Sequence, residues 1–320
     1  MLYSKSLNGY DFYREFTLKK RFLLGASLAC VVAAGTFTYF NKPAKPEYST
    51  VISFGDSLSD NGNVYENSMQ TVPNNPTWFE GRFTNSYVWV EYLCSYSTAE
   101  CQLIDKANGS AYSHEGTQAV DIGDTSVVDV STNFLEQVQN FTNSDDSFDP
   151  SKTLYTLEVG GNDVVDLKEY DQVGANVDEA IELLTTKKDA SNIVVVNIPD
   201  VSKAPLYSES TADEREKVHK KIEEVNSQIK GVVNKYKNKG VDIKLVDFNG
   251  LLNKLISDKH NISDKACLEI PLEINKLNFV LERPRTEDCQ NNLDKYVFFD
   301  NLHPTGRVHK LLAQEVSKKL

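Results

Sequence analysis

The chain has 320 residues, 40% of them hydrophobic and 25% charged, which is enough apolar material for a sizeable globular core. Its 34 basic and 46 acidic side chains leave a formal net charge of −12. That balance excludes the basic footprint of nucleic-acid binding, so no nucleic-acid partner is expected.

Residues 1–21 are polar and end in Lys19-Lys20-Arg21, and residues 22–40 carry no charge. As a helix the uncharged run would span about 28 Å, close to the hydrocarbon thickness of a bilayer. Two readings stand. One is a cleaved signal peptide with small residues at Ala33-Ala34-Gly35. The other is an uncleaved signal anchor, which would associate the chain with a membrane through residues 22–40. Both place the remainder in the secretory pathway, lumenal or extracellular. Residues 41–48, with Pro43 and Pro46, read as a linker, and the folded domain is expected over 49–320.

Val51-Ile52-Ser53-Phe54 reads as a buried strand; Gly55 and Asp56 turn the chain, and Ser57 follows just past the strand end. A serine there can be presented at the carboxyl edge of a parallel sheet, where α/β proteins place their chemistry. Asp56, Asp60, Asn61 and Asn63 read as braces of this loop. A Pro/Asn-rich loop spans 71–77, and Asn85 or Ser86 is placed to cap a helix over the following Val-Trp-Val-Glu-Tyr-Leu. Residues 105–150 read as long loops with a short helix near Phe134–Val138.

Thr153 to Val159 is predicted as a strand that runs into Gly160-Gly161-Asn162-Asp163. An amphipathic helix follows, with Val173, Val177, Ile181 and Leu184 on one face. Asn192 to Ile198 reads as a fully buried strand, as central strands of parallel sheets do. Thr211 to Glu214 has capping-box spacing and opens a long helix that ends at Gly240. A strand over 241–248, a helix near 251–256, an irregular excursion over 258–295 and a last apolar run, Tyr296–Phe299, complete the pattern. A helix from about Thr305 to Lys318 closes the chain. Strands alternating with helices predict an α/β fold, three layers deep around a mostly parallel sheet.

Four of the five cysteines, Cys94, Cys101, Cys267 and Cys289, lie outside the apolar N-terminal run, which holds Cys30. In an oxidising compartment they form two disulfides. Proximity favours Cys94 with Cys101 and Cys267 with Cys289, one of three possible pairings. No CxxC spacing occurs and the histidines do not cluster with the cysteines, so no metal site is expected. Asn108, Asn140 and Asn261 begin glycosylation sequons.

His303 is the candidate base for Ser57, and Asp300, three residues before it, can accept from its Nδ1 while Nε2 faces the serine. Asn162 has an amide that can donate to an oxyanion, with glycines beside it that allow close backbone approach. Gly116 N–H is a further candidate donor from the loop that holds it. His114, His219, His260 and His309 read as structural or surface residues.

These pieces resemble the GDSL esterase/lipase family, also called SGNH hydrolases. The resemblance rests on Phe54-Gly-Asp-Ser-Leu-Ser-Asp-Asn-Gly-Asn63, Gly81-Arg-Phe-Thr-Asn-Ser86, Gly160-Gly-Asn-Asp163 and Asp300-x-x-His303-Pro304-Thr305, in that order. It covers residues 49–320. It implies an SGNH-hydrolase or flavodoxin-like sheet, Ser57 as nucleophile, His303 as base and Asp300 as its orienter. It also implies an oxyanion hole from Ser57 N–H, a second-block glycine and Asn162. The second block departs from the family's pattern, because Glu115 stands before Gly116 where relatives carry a glycine. The expected reaction is hydrolysis of a carboxylic ester, a lipid or an acylated small molecule or sugar, through an acyl-enzyme on Ser57, with no cofactor. A carbohydrate acetylesterase on the same scaffold and a non-catalytic cell-surface binding module are the alternatives.

Overall fold

The computed structural model describes residues 47–98, 100–109, 111–113, 119–121, 127–129, 132–165, 170–272 and 277–320. The uncharged run 22–40 and Gly116 lie outside them. Among the described residues no helix is long and apolar enough to cross a membrane.

Strands buried along nearly their whole length build the centre. β1 is Thr50–Gly55, followed by the short helix α1, Asn63–Asn67, and by α2, Trp89–Ser97. β2 is Gln102–Asp105, and a small antiparallel pair joins β3, Ala119–Asp121, to β4, Val127–Asp129. Next come α3, Phe134–Asn143, β5, Thr153–Glu158, α4, Gly161–Val165, and α5, Val173–Lys187. β6, Asn192–Val196, leads to α6, Ala212–Asn238, β7, Asp242–Val246, and α7, Phe248–Ser257. The short helices α8, Leu277–Val280, and α9, Glu287–Asn292, precede α10, Gly306–Lys319.

Five strands form one parallel sheet in the order β2-β1-β5-β6-β7. Successive residues of each strand feed opposite faces. Ile52, Phe54, Tyr155, Leu157, Ile193 and Val195 pack with helices α3, α5 and α6. Val51, Leu154, Val194, Val196 and Val246 pack with α2, α7 and α10 on the other face. The chain is therefore a three-layer α/β/α sandwich. Its strand order reverses at β1, so the β1/β5 boundary is the switch point where such sheets hold their sites.

The capping box of the long helix is present: Glu214 N donates to Thr211 Oγ1 at 3.2 Å, and Thr211 N donates to Glu214 Oε2 at 2.8 Å. The helix α2 starts later than its sequence suggests. Neither Asn85 nor Ser86 caps it; the Glu91 carboxylate reaches back to Val88 N–H at 2.9 Å. The β3/β4 pair falls where the sequence reads as loop, and β2 lies just before that stretch, where the sequence carries no strand reading; short edge segments have too few residues to show a period. Tyr296–Phe299 is buried but is not a sheet strand. Its backbone bonds run to the excursion, Cys267 N to Phe298 O at 3.2 Å and Leu268 N to Phe299 O at 3.0 Å.

Disulfides join Cys94 to Cys101 and Cys267 to Cys289. Asn140 is exposed. Asn108 is only 5% exposed. Asn261 is partly buried, and its amide donates to Leu255 O and accepts from Arg307.

Candidate active site

Gly55 ends β1 because nothing larger fits: a Cβ there would lie 2.3 Å from the Glu158 carbonyl oxygen. The chain then turns on Asp56, whose carbonyl accepts Ser59 N and Asp60 N at 3.0 Å and whose Oδ1 accepts Leu58 N at 3.0 Å. This turn sets Ser57 just beyond the strand. Asp60 braces it from below, accepting from the N–H groups of Gly62, Asn63, Val64 and Gly109. Asp105 does the same for Asn61 N at 2.8 Å.

A second turn arrives from the far end of the sequence. Asp300 Oδ1 accepts Leu302 N at 2.9 Å and His303 N at 2.7 Å, which folds the imidazole back over its own aspartate. His303 Nδ1 lies 2.8 Å from Asp300 Oδ2, and its Nε2 lies 2.8 Å from Ser57 Oγ. With a carboxylate on one side, Nδ1 carries the proton and Nε2 accepts from the hydroxyl. Ser57, Asp300 and His303 are all buried. Burial opposes the charge on Asp300, but electrostatic attraction to His303 and the hydrogen bonds from His303 and Leu302 hold its carboxyl below the usual range.

Further contacts hold this turn. Trp78 Nε1 donates to Asp300 Oδ2 at 3.2 Å. The Phe83 ring lies against the imidazole at 5.2 Å and Phe279 meets it edge-on at 5.7 Å. Thr84 Oγ1 donates to Pro304 O at 2.8 Å, and Asn85 Oδ1 accepts Gly306 N at 2.9 Å. The segment from Gly81 to Ser86 is thus the brace of the histidine loop, and Asn85 serves the start of α10 rather than of α2.

Asn162 stands in the first turn of α4, across the switch point from Ser57. Its Nδ2 donates to Ala111 O at 3.0 Å, which leaves the second N–H of the amide for the cleft it lines. Asp163 accepts from Ser113 N and Oγ, and Asn176 donates to the same hydroxyl, so residues 111–113 are tied to this helix.

The matching sequence family fits this arrangement: residues 51–316 match the GDSL-like lipase/acylhydrolase family. The chain belongs to that family. Among curated relatives it is 32% identical over 276 residues to a thermolabile hemolysin of Vibrio parahaemolyticus, which covers 84% of this chain and 63% of that one. It is 27% identical over 274 residues to the secreted effector protein SseJ of Salmonella typhimurium, covering 83% and 62%. It is 29% identical over 180 residues to a phosphatidylcholine-sterol acyltransferase of Aeromonas hydrophila, covering 55% and 52%. The chain therefore spans less than two thirds of the length of each of these relatives.

In this GDSL-family chain a cleft of about 480 Å³, partly open to solvent, starts at Ser57, Asn162 and His303. Its walls are almost wholly apolar, with Val201, Phe248, Leu252, Phe298 and Leu302 among them. Sequence reading finds the polar residues but misses Trp78, Phe83 and Phe279 around the histidine, and the α7 wall. The available signal was a lone tryptophan in a polar loop, whose indole N–H needs an acceptor once buried. Among the described residues, His303 is the histidine hydrogen-bonded to Ser57. His219 pairs with Asp200 at 2.8 Å, His260 is exposed, and burial lowers the buried His309 to about 3 and keeps it neutral. His114 lies outside the described residues.

Proposed function

We propose that this family member is a serine hydrolase of carboxylic esters with apolar acyl groups. The observation that carries the reading is the unbroken Ser57–His303–Asp300 hydrogen-bond chain, with 2.8 Å on each side of the imidazole. In the first half-reaction Ser57 Oγ attacks the acyl carbonyl carbon while its proton passes to His303 Nε2. Asp300 stabilises the imidazolium, and Trp78 holds Asp300 in place. The oxyanion accepts from Ser57 N–H and from the Asn162 amide, with Gly116 N–H as a third donor. The imidazolium returns its proton to the leaving alcohol oxygen, which departs and leaves the acyl group on Ser57. Water then attacks that ester with His303 as base, and the acid is released.

The cleft supports the substrate class. The walls beyond Ser57 are apolar, and each methylene of an acyl chain buried against them gains about 0.8 kcal/mol. Relatives named as a hemolysin and as a phosphatidylcholine-sterol acyltransferase agree with a lipid ester. A secreted location is supported by the two disulfides and by the relative named as a secreted effector.

The test is turnover of p-nitrophenyl esters from acetyl to palmitoyl by the full chain with its disulfides intact. Activity is expected to peak beyond acetyl and to vanish in Ser57→Ala. Leu252→Trp, which fills the channel, is expected to lower kcat/KM for long esters at least about tenfold more than for acetate. Turnover that survives Ser57→Ala would refute the mechanism, and a preference for acetate would refute the substrate class.

A further inference from the structure

Glu158 ends β5 directly opposite Gly55 of β1. Glu158 is 1% exposed and Asp56 2%, and their carboxyl groups are close enough to interact. Ser59 Oγ donates to Glu158 Oε2 at 3.4 Å and itself accepts from Trp89 Nε1 at 3.0 Å. Glu158 Oε1 is buried, and no N–H or O–H donor among the described residues reaches it. Two carboxylates in contact cannot both be ionised in so dry a place. One proton between them accounts for both the contact and the orphaned oxygen.

The position of the pair gives it a task. Asp56 precedes the nucleophile and lines the cleft, while Glu158 lies four residues before Asn162 and outside the cleft. We propose that Asp56 and Glu158 are a positioning pair, in which one shared proton ties the Ser57 turn to the end of β5 and leaves a single negative charge behind the nucleophile. The proposal rests on the esterase reading and deepens it. Loss of the proton sets two charges against each other beneath the point where the acyl oxygen becomes negative. The turn and the strand end then separate, and kcat falls on the alkaline side.

The other titratable groups that face the pair are His303 from the histidine loop and Asp163 from α4; α2 presents only the Trp89 indole, through Ser59. Burial pushes Asp56 up to about 7, against the hydrogen bonds from Leu58 and Glu158. Burial, and then the Asp56 charge, push Glu158 well above the carboxylate range.

The experiment compares wild type, Glu158→Gln and Glu158→Ala by the pH dependence of kcat and KM on p-nitrophenyl butyrate, and by infrared spectroscopy of the carboxylic-acid carbonyl band near neutral pH. Gln keeps a donor to Asp56 that never ionises. Its kcat at the optimum is expected within about threefold of wild type, with the alkaline limb moved up by about one pH unit or more. Ala is expected to lose about tenfold or more in kcat with KM unchanged. The wild-type infrared band is expected to disappear in Glu158→Gln. Superimposable pH profiles of wild type and Glu158→Gln, or a wild type without the band, would overturn the pairing. A wild type that turns over no ester would refute the esterase reading, and the infrared band would then decide the pairing alone.

Discussion

Trp78 shows how much of the site depends on a side chain that does no chemistry. Its indole N–H is one of the donors that hold the Asp300 carboxylate, and a hydrogen bond to a charged group is worth about 1.5–3 kcal/mol. Trp78→Phe keeps the ring and removes the donor. It is expected to lower kcat about tenfold with little change in KM, and steady-state kinetics on the ester series checks this. Asp300 makes a second, pH-dependent prediction. Its folded-state pKa is depressed, so the stability it contributes is present above the ordinary carboxylate value and is lost as pH falls through the depressed one. Resistance to urea denaturation is therefore expected to fall from about pH 4 downward in wild type, and Asp300→Asn is expected to reduce that dependence.

At the scale of elements, the start of α10 and the Gly81–Ser86 segment fit so closely that one hydrogen atom separates function from clash. A Cβ on Gly306 would lie 2.4 Å from Ser86 Cβ. Gly306→Ala must push α10 away from the segment that carries Thr84 and Asn85, and with it the histidine loop. The expected cost is about 1–3 kcal/mol in stability, as for other overpacked sites, together with a fall in kcat. Ser86→Gly removes the opposing Cβ, so the double variant is expected to recover most of both losses. Thermal melts and ester kinetics on the three proteins measure it. The same fit explains a misleading cue in the sequence. Asn85 has the side chain of a helix cap and does cap a helix, but one 221 positions away in the chain.

For the whole molecule, the Cys267–Cys289 disulfide links the excursion to the site. That excursion supplies the backbone partners of Phe298 and Phe299, the residues that lead into Asp300. Closing a loop of this size is worth about 3 kcal/mol. Replacing Cys267 and Cys289 with serine is expected to lower stability by about 2–4 kcal/mol and to reduce kcat. Replacing Cys94 and Cys101, which close a seven-residue separation far from His303 in sequence, is expected to cost less and to spare kcat. Denaturation and activity of the two double variants separate these outcomes. The sequence by itself determined the layers and the polar centre. Buried parallel strands impose uninterrupted apolar runs, as in Ile193–Val196, and Ser57, Asn162 and His303 each sit in a short local pattern that follows from turn geometry. Only the tertiary structure decided the rest. The Trp78 donor to Asp300, the Asp56–Glu158 contact and the Phe248–Leu252 wall are all meetings of segments distant in sequence. Such meetings depend on strand order and on which helix covers which face, and no local period in the chain carries that information.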